Sequence, residues 1–215
     1  GLRRDTVEYR VFGPRGERAP AIGRGAGREY AVGEEDGRLT MATPPFARQA
    51  QDAAGDGVWV HGDQTRRSVQ VRAADGTLRT IFRWPGRDLG TTDAAVRQEI
   101  ERRIRHYNED QAGLRRFFAE LPRPDGRPAH GRVHLGPGGR IWVETAPGPD
   151  ADGSFETPGW HVFEPDGRWL GTVGAPGRFR VTQLLPHRVV GVWQDPLDVE
   201  HVQIRPLVRR KSRIR

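Results

Sequence analysis

The stretch Trp160 to Val173, WHVFEPDGRWLGTV, constrains the fold more than any other part of the chain. Apolar and polar residues alternate on both sides of Asp166-Gly167. An Asp-Gly pair between two alternating runs is the strongest short-range signal of a β-hairpin. It predicts a type I′ turn, with positive φ at both central residues. The unit recurs. Ser68 to Ile81 (SVQVRAADGTLRTI) carries Asp75-Gly76 at the same place, and Val7 to Ile22 is a degenerate copy with Arg15-Gly16. Such a chain is expected to be built of antiparallel strands.

The copies align as one unit: short strand, turn, Trp-bearing strand, loop, V-x-V-like strand, Asp-Gly, strand. Trp59 in GVWV, Trp142 in RIWV and Trp193 in VGVW then fall at the same place in the second strand. Gly167 lies 91 residues after Gly76. Removing about 50 residues for the helical excursion leaves about 40, the length of a four-stranded propeller blade. The expected fold class is all-β: a partial β-propeller of about three and a half four-stranded blades, a single domain over residues 1–215 with a helical insertion at 91–122. The tryptophans are then packing between blades.

Between the hairpins, residues 25–56 read as Gly-rich and polar, with a short strand near Leu39 to Ala42, and Gly55 to Gly62 reads as a buried strand. Residues 91–121 change period. Val96, Ile100, Ile104 and Tyr107 step along one helical face, with Thr91 or Thr92 as cap and Asp93 in the first turn. Leu114, Phe117, Phe118 and Leu121 suit a second helix ended by Pro122 and Pro124. Strands resume in Ala129 to Thr145, Pro147 to Pro158 reads as a polar loop, and Phe179 to Leu207 repeats the pattern with three strands.

Composition sets limits. Gly 28 and Pro 17 suit many short strands joined by turns, and 35% hydrophobic residues suffice if strands are buried on alternate positions. The net charge of +7 is carried almost wholly by arginine, with Lys211 the one lysine. These arginines are scattered among acidic residues, which argues against nucleic acid, although an anionic partner remains the second alternative below. The absence of cysteine excludes disulfides and thiolate metal sites. No run of apolar residues reaches the length of a transmembrane helix.

The candidate chemistry is sparse. His130 and His134 on one strand would share a face about 13 Å apart, too far to chelate one metal. Asp150, Asp152 and Glu156 miss the spacing of a calcium loop. Asp195, Asp198 and Glu200 cluster in one loop, but Asn108, the one asparagine, lies in the helical insertion, away from any channel that could use it as a ligand. Ser68, Ser154 and Ser212 are the three serines and none lies in a nucleophile elbow. Gly136-Pro137-Gly138-Gly139 joins two strands and opens no helix, so it cradles no phosphate. No catalytic residue, metal or cofactor is expected.

The segments Pro45 to Gln49 (PFARQ), Thr91 to Val96 (TTDAAV), His161 to Val173 (HVFEPDGRWLGTV) and Val189 to Leu207 resemble the C-terminal half of bacterial six-bladed β-propeller proteins of the NHL/TolB-like superfamily. The resemblance runs over nearly the whole chain. It implies the propeller architecture and brings no catalytic residues with it. It leaves the compartment open while favouring a periplasmic or extracellular one, and it makes the chain look truncated on its N-terminal side. The expected function is a non-catalytic binding scaffold, with an unknown protein or small molecule at the channel mouth or loops. The alternatives are a metal-assisted hydrolase of the lactonase type and a polyanion-binding protein using the Arg-rich surface.

Overall fold

A computed structural model of the chain describes residues 1–35, 38–86, 88–105, 107, 110–146, 159–174, 176 and 178–208. The chain is mostly β, as expected, and folds as four antiparallel sheets in chain order. Sheet 1 holds β1 (Leu2–Phe12), β2 (Arg18–Glu35) and β3 (Arg38–Ala42). Sheet 2 holds β4 (Ala50–Gly55), β5 (Val58–Asp63), β6 (Ser68–Ala73) and β7 (Leu78–Arg83). Sheet 3 holds β8 (Val133–Leu135), β9 (Ile141–Glu144), β10 (Gly159–Phe163) and β11 (Trp169–Gly174). Sheet 4 holds β12 (Phe179–Leu185), β13 (Arg188–Gln194) and β14 (Glu200–Pro206). Two helices, α1 (Asp93–Ile104) and α2 (Gln111–Glu120), separate sheets 2 and 3.

Among the described residues one three-residue loop, fixed by the same pair of hydrogen bonds, recurs five times, and it is not the type I′ turn that the Asp-Gly pairs predict. In Ala73–Thr77 the Gly76 N–H donates to the Ala73 carbonyl at 2.9 Å and the Ala73 N–H donates to the Thr77 carbonyl at 2.8 Å. Only the glycine is left-handed, at φ 88°, and Asp75 is not. This is a three-residue hairpin loop, a type I turn followed by one left-handed residue. Glu164–Arg168 repeats it with Gly167 at φ 91°, and Gly13–Glu17 repeats it with Gly16 at φ 84°. Asp195–Val199 has the same pair of hydrogen bonds, with Asp198 at φ 64° in the left-handed place, and Gly136–Arg140 has them too but with both Gly138 and Gly139 left-handed at φ 73°, so the turn inside that loop is not type I. The aspartate of the Asp-Gly pair has a different task. Its carboxylate accepts the N–H two residues on, Asp75 from Thr77 at 2.8 Å and Asp166 from Arg168 at 2.9 Å. The two-residue turn with positive φ at both centres is Asp56-Gly57, at 49° and 71°, between β4 and β5.

Each sheet presents one face back along the chain and one face forward. In sheet 2, Val60, Val69, Val71 and Phe82 point forward and meet Val133, Ile141, Val143 and Phe163 of sheet 3 in one core. In sheet 3, Trp142, Trp160 and Val162 point forward and meet Phe179, Val181, Leu184 and Val189 of sheet 4 in a second core. The rings of Phe82 and Phe163 lie 4.6 Å apart between sheets 2 and 3. Tyr9 of sheet 1 lies 4.3 Å from Trp59 on the backward face of sheet 2. Each fully buried side chain of this size contributes about 1.5–3 kcal/mol by leaving water.

The register corrects the tryptophan column. Trp59 pairs with Arg72, the last residue before the Ala73–Thr77 turn, and Ile141 pairs with Phe163, the last before the Glu164–Arg168 turn. Ile141 therefore stands where Trp59 stands, and Trp142 matches Val60. One residue of offset puts Trp59 on the backward face and Trp142 on the forward face. In sheet 4 the second residue of β13, Val189, takes the place of Trp59. Trp193 lies at the far end of that strand, opposite His201.

Residues 25–35 form part of β2, where the sequence reads as loop. Gly25 in that stretch and Gly23 just before it are places of close approach. A Cβ on Gly23 would meet the Trp59 ring at 3.3 Å, and one on Gly25 would meet His61 at 3.0 Å. The helical insertion folds back on the molecule. Ala95, Val96, Ile100 and Ile104 of α1 bury Phe46 of the β3–β4 connection, with Leu114 and Phe118 of α2 packed alongside. Thr92 caps α1 by accepting the Ala95 N–H at 3.2 Å. Tyr107 and Phe117 stay exposed. His130 lies in the connection before β8, so it does not share a strand with His134.

Candidate functional site

A cavity of about 1000 Å³ forms a groove between sheets 3 and 4. Trp142, Trp160 and Val162 of sheet 3 and Phe179, Val181 and Val189 of sheet 4 form its floor. One wall is β11, from Leu170 to Gly174, and the other is the end of β14 with Leu207 and Val208. Arg140 and Arg205 stand at its rim. Arg140 is held by Glu164 at 3.3 Å. The Arg205 guanidinium lies over the Phe179 ring at 5.1 Å and donates to Gln203 at 2.7 and 2.9 Å.

The groove exists because sheet 4 has three strands where sheets 2 and 3 have four. In strand order β12, β13 and β14 match β8, β9 and β10, so β11 faces a place in sheet 4 that no strand of the described residues fills. The consequence shows on the fourth strands. Phe82 of β7 pairs with Val69 and is buried by the β10–β11 hairpin, with Phe163 and Gly167 against it. Its counterpart on β11, Val173, pairs with Trp160 and is only partly buried. Among the described residues the outer edge of β14 has no strand beside it either.

A second cavity, about 460 Å³, lies between sheets 1 and 2 and is lined by Tyr9, Ile22, Asp52, Gly55, Trp59 and Ala74, among others. Beside it stands a polar cluster that the sequence did not single out. Asp52 Oδ2 accepts the Tyr9 hydroxyl at 3.0 Å, and its Oδ1 accepts Trp59 Nε1–H at 3.1 Å and sits 2.8 Å from His61 Nδ1. The Tyr9 hydroxyl is also 3.2 Å from that nitrogen. Burial, then the Asp52 charge, pushes the Tyr9 hydroxyl well above its ordinary range, so it stays protonated and donates. The groups are used up on one another, and His61 Cε1 and Nε2 lie against the Gly25 backbone. This is a polar clasp between two sheets. Its members lie too far apart in sequence for spacing alone to reveal it.

The remaining candidates are structural or isolated. Asp75, Gly76, Asp166 and Gly167 build the turns described above. His130 is buried, and its Nδ1 lies 2.8 Å from the Gly131 carbonyl. Burial pushes both His130 and His134 below the ordinary imidazole value of 6.5. In the Asp195–Val199 turn, the Asp195 carboxylate accepts the N–H groups of Leu197 and Val199 at 2.8 and 2.9 Å and meets His201 at 3.2 Å. Those backbone and histidine contacts hold Asp195 below the usual carboxylate range, while Glu200 pairs with Arg180 at 3.7 Å. Asn108, Asp150, Asp152, Ser154, Glu156 and Ser212 lie outside the described residues. Among the described residues no group of three or more His, Asp or Glu side chains could hold a metal ion. No helix among them is long and apolar enough to cross a membrane.

No protein-family model matches the chain, and no curated protein matches it. The site therefore rests on its geometry.

Proposed function

We propose that this chain is a non-catalytic binding scaffold, a run of β-propeller blades of the six-bladed NHL/TolB-like kind, whose ligand surface is the groove between sheets 3 and 4. The observation that supports this is the groove itself: an apolar slot of about 1000 Å³ with an aromatic floor and two rim arginines, beside a strand edge that no strand of the described residues pairs. Concave, mostly apolar sites with a few polar groups are where ligands bind. The lining of the groove offers Arg140, Arg205 and Thr172 as its polar side chains beside Trp142, Trp160 and Phe179, a set suited to binding more than to the alternative of a lactonase-type hydrolase. Arg24, Arg48, Arg102 and Arg115 are held in pairs with Glu8, Glu29, Glu99 and Glu101, which removes them from a surface that could serve a polyanion.

The test uses an uncharged apolar fluorescent dye, Nile red. The chain is expected to bind it saturably, and Leu170→Arg, an exposed position on the β11 wall, is expected to abolish most of that binding without altering the far-ultraviolet circular dichroism. Binding that Leu170→Arg leaves unchanged removes the groove as the site. Turnover of ester or lactone substrates that a chelator abolishes replaces the scaffold with the hydrolase.

A further inference from the structure

We infer that the groove is a strand-addition site: it takes an extended polypeptide segment that pairs with the free edge of β14 and lies against β11 as the fourth strand of sheet 4. This rests on the groove being the ligand surface and names the ligand's chemistry.

The occupant follows from the chain's own repeats. The equivalent place in sheet 2 is filled by β7 and in sheet 3 by β11, each an extended strand joined antiparallel to the third strand of its sheet. Sheet 4 has the third strand, β14, and lacks the fourth among the described residues. Strand addition to an open edge draws affinity from main-chain hydrogen bonds and specificity from alternate side chains. Both halves of that recognition are present. The β14 backbone offers its outer N–H and C=O groups, and the groove offers the apolar wall.

The register gives the pattern of the incoming strand. On β7, Leu78 and Ile81 pair with Arg72 and Gln70 and lie on the backward face, the face that in sheet 4 looks into the groove. Phe82 pairs with Val69 and lies on the forward face. The corresponding face of β14 carries Val202 and Ile204, exposed at 78% and 61%. A matching segment therefore has apolar residues on both faces and no proline at positions that must donate to β14. A globular ligand or a helix meets the width of the groove but leaves the β14 edge unpaired.

The probe is a capped synthetic peptide copying residues 77–84 (TLRTIFRW), the fourth strand of sheet 2. It is titrated into the full chain while amide hydrogen exchange is followed. The expected result is saturable binding with new protection at alternate amides of β14. On β7 the N–H groups that face the third strand are those of the Phe82 and Trp84 positions, as the Trp84 N–H donation to the Arg67 carbonyl shows, so placing proline at the Phe82 position of the peptide is expected to weaken binding by at least about tenfold by removing a main-chain donor. Leu170→Arg in the protein is expected to weaken binding of the unmodified peptide while leaving the fold intact. Absence of β14 protection at saturating peptide overturns the inference. So does protection confined to another strand, or protection of β14 produced by self-association of the chain without peptide. If the dye binds and Leu170→Arg blocks it while the peptide fails, the groove stands as a ligand site and strand addition falls.

Discussion

At the residue scale, the glycines of β2 show how packing overrides a sequence pattern. Gly25 sits in a strand because His61 and Tyr9 press on it from the clasp, within 3.0 and 3.3 Å of where a Cβ would be. Gly25→Val is expected to cost about 1–3 kcal/mol by overpacking the interface of sheets 1 and 2, measured by urea unfolding. The left-handed turn position gives a pair of opposite outcomes. Gly76→Ala destabilises, since φ is 88° and the methyl would strike the Ile22 carbonyl. Asp198→Gly at the same turn position, φ 64°, is expected to be neutral or to stabilise by about 0.5 kcal/mol, as relief of the left-handed backbone is offset by a freer unfolded chain. His130 makes stability depend on pH. Its folded value lies below 6.5, so the unfolded chain takes the proton first. Stability is full above 6.5 and falls as pH drops below it toward the folded value. Urea midpoints across that range should show this slope, and His130→Gln should flatten it, with His134 supplying the remainder.

At the element scale, the helical insertion is fastened by charge as well as by its apolar face. Glu99 is buried, and Arg102 and Arg103 bind it at 2.7 and 2.8 Å; Arg103 also donates to the Thr43 carbonyl at 2.9 Å. Burial alone would raise the Glu99 carboxyl, but the two arginines hold it below the ordinary value of 4.5. The pair's contribution is present above 4.5 and is lost as pH falls through the lower folded value. Glu99→Gln is expected to cost roughly 2 kcal/mol, less than the ~3–5 kcal/mol of a fully buried pair because Arg102 is half exposed. Thermal unfolding followed on the helical signal tests this. The elements themselves were largely legible. Both helices follow from the Val96-Ile100-Ile104 and Leu114-Phe118 spacings, and the hairpins follow from their glycines. Two things were not legible. Turn type was missed because Asp-Gly serves both the two-residue and the three-residue loop, and only the hydrogen bonds at Ala73 and Glu164 tell them apart. The face of each tryptophan was missed because a one-residue shift between Trp59 and Trp142 leaves the local pattern W-V unchanged while reversing the side of the sheet.

At the scale of the whole molecule, four sheets follow one another with forward face on backward face, and each interface is closed by the same strands. The groove is where that rule is left incomplete, and its residues could not be found from sequence. Trp160, Phe179, Val189 and Leu170 belong to four strands, and what joins them is a strand missing from one sheet. The forward face of sheet 4, with Val202 and Ile204 exposed, is the register equivalent of Val69 and Val71, which sheet 3 buries to 0% and 4%. The same order of faces carries both the clasp at Tyr9 and the groove at β14, so the direction in which each sheet presents its two faces is the central claim. The most direct test is nuclear Overhauser contacts in the labelled chain. The stacking described here predicts strong contacts between the Tyr9 and Trp59 rings and between the Phe82 and Phe163 rings, with none from Trp59 to Ile141 or Val143. Contacts from the Trp59 ring to Ile141 or Val143 would show that sheet 2 presents the opposite face, and the stack, the clasp and the groove would all have to be redrawn.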